Sequence, residues 1–168
     1  MMPYTEDAIL KVLETVKDPE VPVLSVVELG IIRGVRFIGN DVEIIVTPTY
    51  SGCPAMHAIE QEIRAALLNF GIERVHLSTV FSPPWTTDWM SDAAKEKLRA
   101  YGIAPPHSGA AARAQEPLVP MPGKPRVVAC PVCGSLNTET RSEFGSTACK
   151  ALLFCNDCAQ PFEHFKSF

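Results

Sequence analysis

The sequence predicts an α+β protein: a small α-β-β-α-β-α domain with a mixed sheet, then a proline-rich linker, then a C-terminal zinc ribbon. Three observations carry this. Helical and strand-like apolar spacings alternate over about the first 100 residues. The stretch from Ile103 to Arg126 holds six prolines and no apolar period. Two CxxC pairs then follow, Cys130/Cys133 and Cys155/Cys158, with 21 residues between them. The expected boundaries are 1–104, 105–126 and 127–168.

Taken in order, Thr5 is a natural N-cap, and Glu6 and Asp7 suit the positive end of a helix dipole. Ile9, Val12, Leu13 and Val16 give one apolar face, so a helix is expected from Thr5 to about Lys17. Asp18-Pro19 stops it, and DPEVPVLSVVELG reads as an ordered loop. Ile31–Ile38 and the alternating Val42, Ile44 and Val46 flank Gly39-Asn40-Asp41, the signature of a hairpin. A second helix runs from about Pro54 to Phe70, with Ile59, Ile63, Ala66, Leu67 and Phe70 as its buried stripe and Gly71 past its end. Val75, Leu77, Thr79 and Phe81 alternate as a third strand. A third helix, from about Thr87 to Tyr101, buries Met90, Ala94, Leu98 and Tyr101. With three strands, the sheet should be covered mainly on one face.

Composition narrows the function. The chain has 168 residues, 46% hydrophobic and 20% charged, with a net charge of −4. Those values suit a packed domain rather than a disordered one. Neither a membrane-spanning run nor a secretory n-region and apolar core is present, so a cytoplasmic protein is expected. The acidity argues against nucleic acid as a partner.

In a reducing compartment clustered cysteines bind metal rather than pair as disulfides. Four thiolates spaced as Cys130, Cys133, Cys155 and Cys158 surround one ion tetrahedrally. Zinc is the first choice, with a rubredoxin-type iron centre or a cluster as alternatives. Val127-Val128 and Ala151–Phe154, ahead of the knuckles, are expected as strands. Four protein ligands leave no open position, so the ion is structural and stabilises a module too small for its own core. Cys149 is either a substitute ligand or a half-buried structural thiol.

Cys53 stands alone in the first hundred residues, within TPTYSGCP, between a strand and a helix. Free amides and the helix dipole there should lower its pKa, and a thiolate attacks, exchanges or binds soft metal. The plain alternative is a small buried residue. His57, one turn on, is a candidate for the same site, whereas His76 and His107 read as bystanders. Asp18 and Glu20 either cap their loop or line a pocket near Cys53. Pro83-Pro84-Trp85 reads as a packing corner, with Asp88 capping the third helix. No phosphate loop and no Ser-His-Asp set accompany these residues, so nothing specifies a hydrolase, kinase or dehydrogenase.

DPEVP (18–22), VVELGII (26–32), TPTYSGCP (47–54) and SPPWTTDWM (82–90) together resemble the MIP/SufT-type iron–sulfur assembly family, over about residues 5–104. With CPVCGS (130–135), FGSTACKAL (144–152) and PFEHF (161–165) added, the whole chain resembles the PaaD family of bacterial phenylacetate degradation. The resemblance implies an accessory or maturation protein of the phenylacetyl-CoA epoxidase system, not itself catalytic. Its partners would be the di-iron oxygenase component and the reductase component, which carries flavin and a [2Fe–2S] centre. The family's functional cysteine falls on Cys53, and Asp18, Glu20, Thr47 and Trp85 lie on matching motifs as pocket candidates. A transient iron–sulfur cluster on Cys53 would be shared across a homodimer, because one thiolate does not ligate a cluster alone. A non-catalytic structural subunit of the epoxidase is the alternative.

Overall fold

The computed structural model describes residues 4–50, 52–107 and 127–168. Most of the expected linker, residues 108–126, lies outside them. Contacts divide the chain into two units, Met1–Trp85 with Trp89–Ser91, and Thr86–Asp88 with Asp92–Phe168.

The first unit opens with α1, Glu6–Leu13, capped as expected: Thr5 Oγ1 accepts from Ala8 N. The helix stops at Leu13, short of Lys17, and buries Ile9 and Leu13. Strands β1 (Ile32–Ile38) and β2 (Asp41–Val46) form the antiparallel hairpin about Gly39-Asn40. Helix α2 (Ala55–Asn69) crosses over to β3 (Val75–Thr79), which pairs parallel to β2. The sheet is therefore mixed, in the order β1-β2-β3. Strand β2 alternates strictly, with Val42, Ile44 and Val46 buried. α2 buries Ala55, Ile59, Ile63 and Leu67. Each buried valine, isoleucine or leucine among these contributes roughly 1.5–3 kcal/mol of hydrophobic stabilisation. Phe70 departs from the expected stripe: it is the C-cap residue, exposed and in ring contact with Tyr4. Gly71 takes the expected C′ position at φ +100°.

Gly30 ends the VVELG loop at φ +76°, and a Cβ there would come within 3.2 Å of Trp89 Cβ. Its bare backbone lets the loop lie against Trp85, whose Nε1 donates to Leu29 O at 3.0 Å. Trp85 is thus a buried corner, as expected from the sequence.

The expected long third helix is two pieces. A 3-10 turn, Thr87–Trp89, precedes α3, Asp92–Ala100. Asp88 lies inside that turn rather than at the cap of α3, and Tyr101 lies beyond the helix and is exposed. The two-residue strand β4 (Ile103–Ala104) pairs parallel to β7 (Pro161–Phe165). Strands β5 (Thr138–Ser142) and β6 (Lys150–Cys155) complete a sheet in the order β4-β7-β6-β5. The units therefore part earlier in the chain than residue 104, because the β4–β7 ladder groups α3 and β4 with the cysteine module. Ala151–Phe154 lies in β6 as expected. Val127-Val128 is not a strand: Val128 O receives the Thr138 hydroxyl instead of a ladder partner.

Candidate functional site

The sulfurs of Cys130, Cys133, Cys155 and Cys158 all lie within 4.8 Å of one another. Cys130 and Cys158 are 3.8 Å apart, and Cys133 and Cys155 are 3.6 Å apart. Four thiolates about 2.3 Å from a tetrahedral zinc would be about 3.8 Å from each other. The donor set and spacing therefore fit zinc, which would tie the two knuckles together and leave no open coordination position. The amide of Cys158 leads in drawing Cys155 down to about 7, against the opposing effect of burial, while burial and the neighbouring sulfurs push Cys158 up to about 12. Close thiolates of one charge need a cation to coexist.

Ser135 and Asn137, after the first knuckle, both donate to the carboxylate of Asp157 inside the second, Asn137 Nδ2 at 2.8 Å. These bonds hold the Asp157 carboxyl below its usual range. Asp157 thereby clamps one knuckle to the other, a role that sequence reasoning missed, although its place inside CxxC was visible. Cys149 is not a ligand. It is buried beside Thr147 Oγ1, 3.1 Å away.

In the first unit, Pro54 is the N-cap of α2 and makes no side-chain cap bond, so Cys53 sits one residue outside the helix. It is half-buried. Burial raises its pKa above the ordinary thiol value, and the carboxylates of Glu20 and Asp18 add to the rise. The Ala55 amide and the Thr49 hydroxyl oppose this without reversing it. The expectation of a lowered pKa is therefore corrected. One helix amide does not outweigh desolvation plus two acidic neighbours.

Asp18 caps its own loop, the first of its two expected roles. Its Oδ1 accepts from Glu20 N and Val21 N, each at 2.8 Å, while its charge faces the thiol. His57 is exposed, its ring hydrogen-bonded to Gln61 Nε2 at 3.0 Å. His76 bonds Asp41 Oδ2 at 3.1 Å on the surface.

Thr47, at the end of β2, and Trp85 meet across a small pocket of about 110 Å³, together with Pro48, Thr49, Tyr50, Phe81 and Pro84. Thr49 belongs to this wall and also hydrogen-bonds the Cys53 side chain. Thr49 lies within TPTYSGCP but did not stand out there, because a threonine between a proline and an aromatic carries no signal of its own. Thr47 Oγ1 is buried and has no hydrogen-bond partner among the described residues.

With this geometry in view, known proteins supply the context. Residues 114–166 match the family described as "PaaD zinc beta ribbon domain". Residues 6–76 match the one described as "Iron-sulfur cluster assembly protein". An Escherichia coli K12 protein, named as a putative subunit of 1,2-phenylacetyl-CoA epoxidase, is 45% identical over 92% of this chain and 88% of its own length. The chain belongs to the PaaD family. The first unit of this PaaD-family chain has further relatives. A Porphyromonas gingivalis protein named "Fe-S protein maturation auxiliary factor" is 37% identical over 56% of the chain and 90% of its own length. Among solved structures, a Bacillus anthracis domain of unknown function, DUF59, superposes with a TM-score of 0.52 at 31% identity, covering 55% of this chain and 90% of that one. In the PaaD-family chain, α1 to β3 thus lie on the part shared with small iron–sulfur assembly proteins, and the four-cysteine cluster lies on the ribbon. No helix among the described residues is long and apolar enough to cross a membrane.

Proposed function

We propose that this chain is an accessory maturation protein of a phenylacetyl-CoA epoxidase system, and that Cys53 carries iron–sulfur material transiently on its way to a client centre. The reading rests chiefly on the setting of Cys53. It is half-buried, hydrogen-bonded by Thr49 and the Ala55 amide, and faced by Glu20 and Asp18, in a region matching iron–sulfur assembly proteins. A thiol kept protonated is a poor free nucleophile, but soft metal displaces its proton on binding. Such a group takes up and releases metal rather than attacking carbon.

A single thiolate leaves a cluster's other positions open, so a second chain or the client supplies them. A homodimer with two Cys53 groups meets that need. The zinc-filled ribbon presents a rigid surface to the oxygenase or reductase component. The E. coli relative's name, which makes it part of an epoxidase, supports that choice of partner.

The test is epoxidase purified from cells in which Cys53→Ser replaces the wild-type chain. Iron content and electron transfer in the reductase component should fall severalfold while the amount of each component is unchanged. Full iron and full electron transfer would leave the non-catalytic structural subunit as the better reading, and the raised pKa of Cys53 is the observation on its side.

A further inference from the structure

Thr49 lies in the bend that carries the chain from β2 into α2. Its side chain hydrogen-bonds that of Cys53, and the residue is only 9% exposed. The backbone closes the bend: Cys53 N donates to Tyr50 O at 3.2 Å, and Met56 N donates to Cys53 O at 3.3 Å. Gly52 makes the reversal at φ +81°. The Cys53 backbone is thus fixed on both sides, and the Thr49 hydroxyl holds the side chain. A β-branched residue has few χ1 choices, so that hydroxyl is itself well placed.

The groups that act on the Cys53 thiol among the described residues differ in what they offer it. The Ala55 amide only donates a hydrogen bond. The carboxylates of Glu20 and Asp18 act through their charge, and when ionised they only accept. The Thr49 hydroxyl both donates and accepts. That difference matters for a sulfur that carries a proton in one state and metal in the other. A protonated thiol is a weak donor and calls for an acceptor. A metal-bound thiolate is negatively charged and calls for a donor. A threonine hydroxyl meets both demands by turning about its C–O bond, with no movement of the backbone.

We propose that Thr49 is the positioning residue of the Cys53 site: its hydroxyl accepts from the thiol in the metal-free chain and donates to the sulfur once metal has replaced the proton. This rests on the reading of Cys53 as an iron–sulfur site. In the step an S–H bond breaks, a sulfur–metal bond forms, and the proton passes to water. No electron is transferred. Thr49 acts through Cys53 and not on the metal. It keeps one sulfur position for loading and unloading, and it lowers the cost of the charged state where Glu20 and Asp18 oppose it.

The experiment compares the wild type, Thr49→Val and Thr49→Ser as full-length, zinc-loaded chains. Mass spectrometry follows alkylation of Cys53 by iodoacetamide against pH, without iron. Thr49→Val should raise the midpoint by about one pH unit, the loss of one hydrogen bond to a charged sulfur, and Thr49→Ser should restore it. Anaerobic reconstitution with iron and sulfide then follows release of iron to a chelator. Thr49→Val should release it about tenfold faster than the wild type, and Thr49→Ser at the wild-type rate. A threonine that only supports the bend would lower Tm and leave the midpoint where it was. An unchanged midpoint in Thr49→Val, or a Thr49→Ser chain that behaves like Thr49→Val, would overturn the proposal. The alkylation contains no iron, so it stands apart from the maturation reading. A shifted midpoint with no cluster on the wild-type chain defeats that reading alone. A Cys53-dependent cluster with an unshifted midpoint defeats the role of Thr49 alone.

Discussion

Asp18 both fastens its own loop, through Oδ1 to the amides of Glu20 and Val21, and opposes ionisation of the Cys53 thiol. One carboxylate thus links the shape of the DPEVP loop to the chemistry of a cysteine far along the chain. Half-burial is the larger cause of the raised pKa, and Glu20 acts alongside Asp18.

Alkylation of Cys53 by iodoacetamide should therefore accelerate with pH to a midpoint above 9.0, the ordinary thiol value. Glu20→Gln removes one opposing charge and should move that midpoint down. Asp18→Asn is less clean because it also changes the loop cap. A midpoint below 9.0 in the wild-type chain would contradict this account of the site.

Thr47→Val should stabilise the first unit by about 1 kcal/mol, because it removes a buried hydroxyl that has no partner. Most core substitutions destabilise, so a raised Tm by calorimetry is a sharp outcome. A fall of similar size would show that the hydroxyl is satisfied in solution.

The ribbon should hold about one zinc per chain by elemental analysis. Cys133→Ser should abolish retention, and Cys53→Ser should leave it unchanged. Asp157→Ala should weaken zinc affinity about tenfold, since outer groups that fix ligand geometry typically matter at that scale. Competition with a chelator reads this directly.

Glu163 fastens the loop after β5. Its Oε2 lies 3.0 Å from Lys150 Nζ and its Oε1 accepts from Ser146 N at 2.6 Å. Burial works to raise its pKa, but the Ser146 and Lys150 contacts win and hold it below the usual range. A depressed folded-state pKa gives stability that is present above the unfolded value and fades as pH falls through the folded one. Glu163→Gln should cost about 1–2 kcal/mol near neutral pH, allowing for its partial exposure. The gap from wild type should close in acid, as read by urea denaturation of the zinc-loaded chains.

Much of this was legible in the sequence because it is local. Thr5 caps the helix that follows it, Gly39-Asn40 turns the hairpin beside it, and the CxxC pairs carry their own spacing. What escaped depends on distant partners. Strand β4 has two residues and exists only because β7 arrives about sixty residues later. Cys53 reads correctly as lying just before a helix, yet its protonation is set by carboxylates from the DPEVP loop and by burial, which no local window contains. Tyr101 keeps a helical spacing on paper, but α3 ends before reaching it.

The central claim is that Cys53 carries iron–sulfur material, and anaerobic reconstitution with iron and sulfide tests it most directly. Absorption and Mössbauer spectra of the wild-type chain should show a labile cluster that is absent from Cys53→Ser, with zinc content equal in both. The same cluster in Cys53→Ser, or none in the wild type, would contradict it.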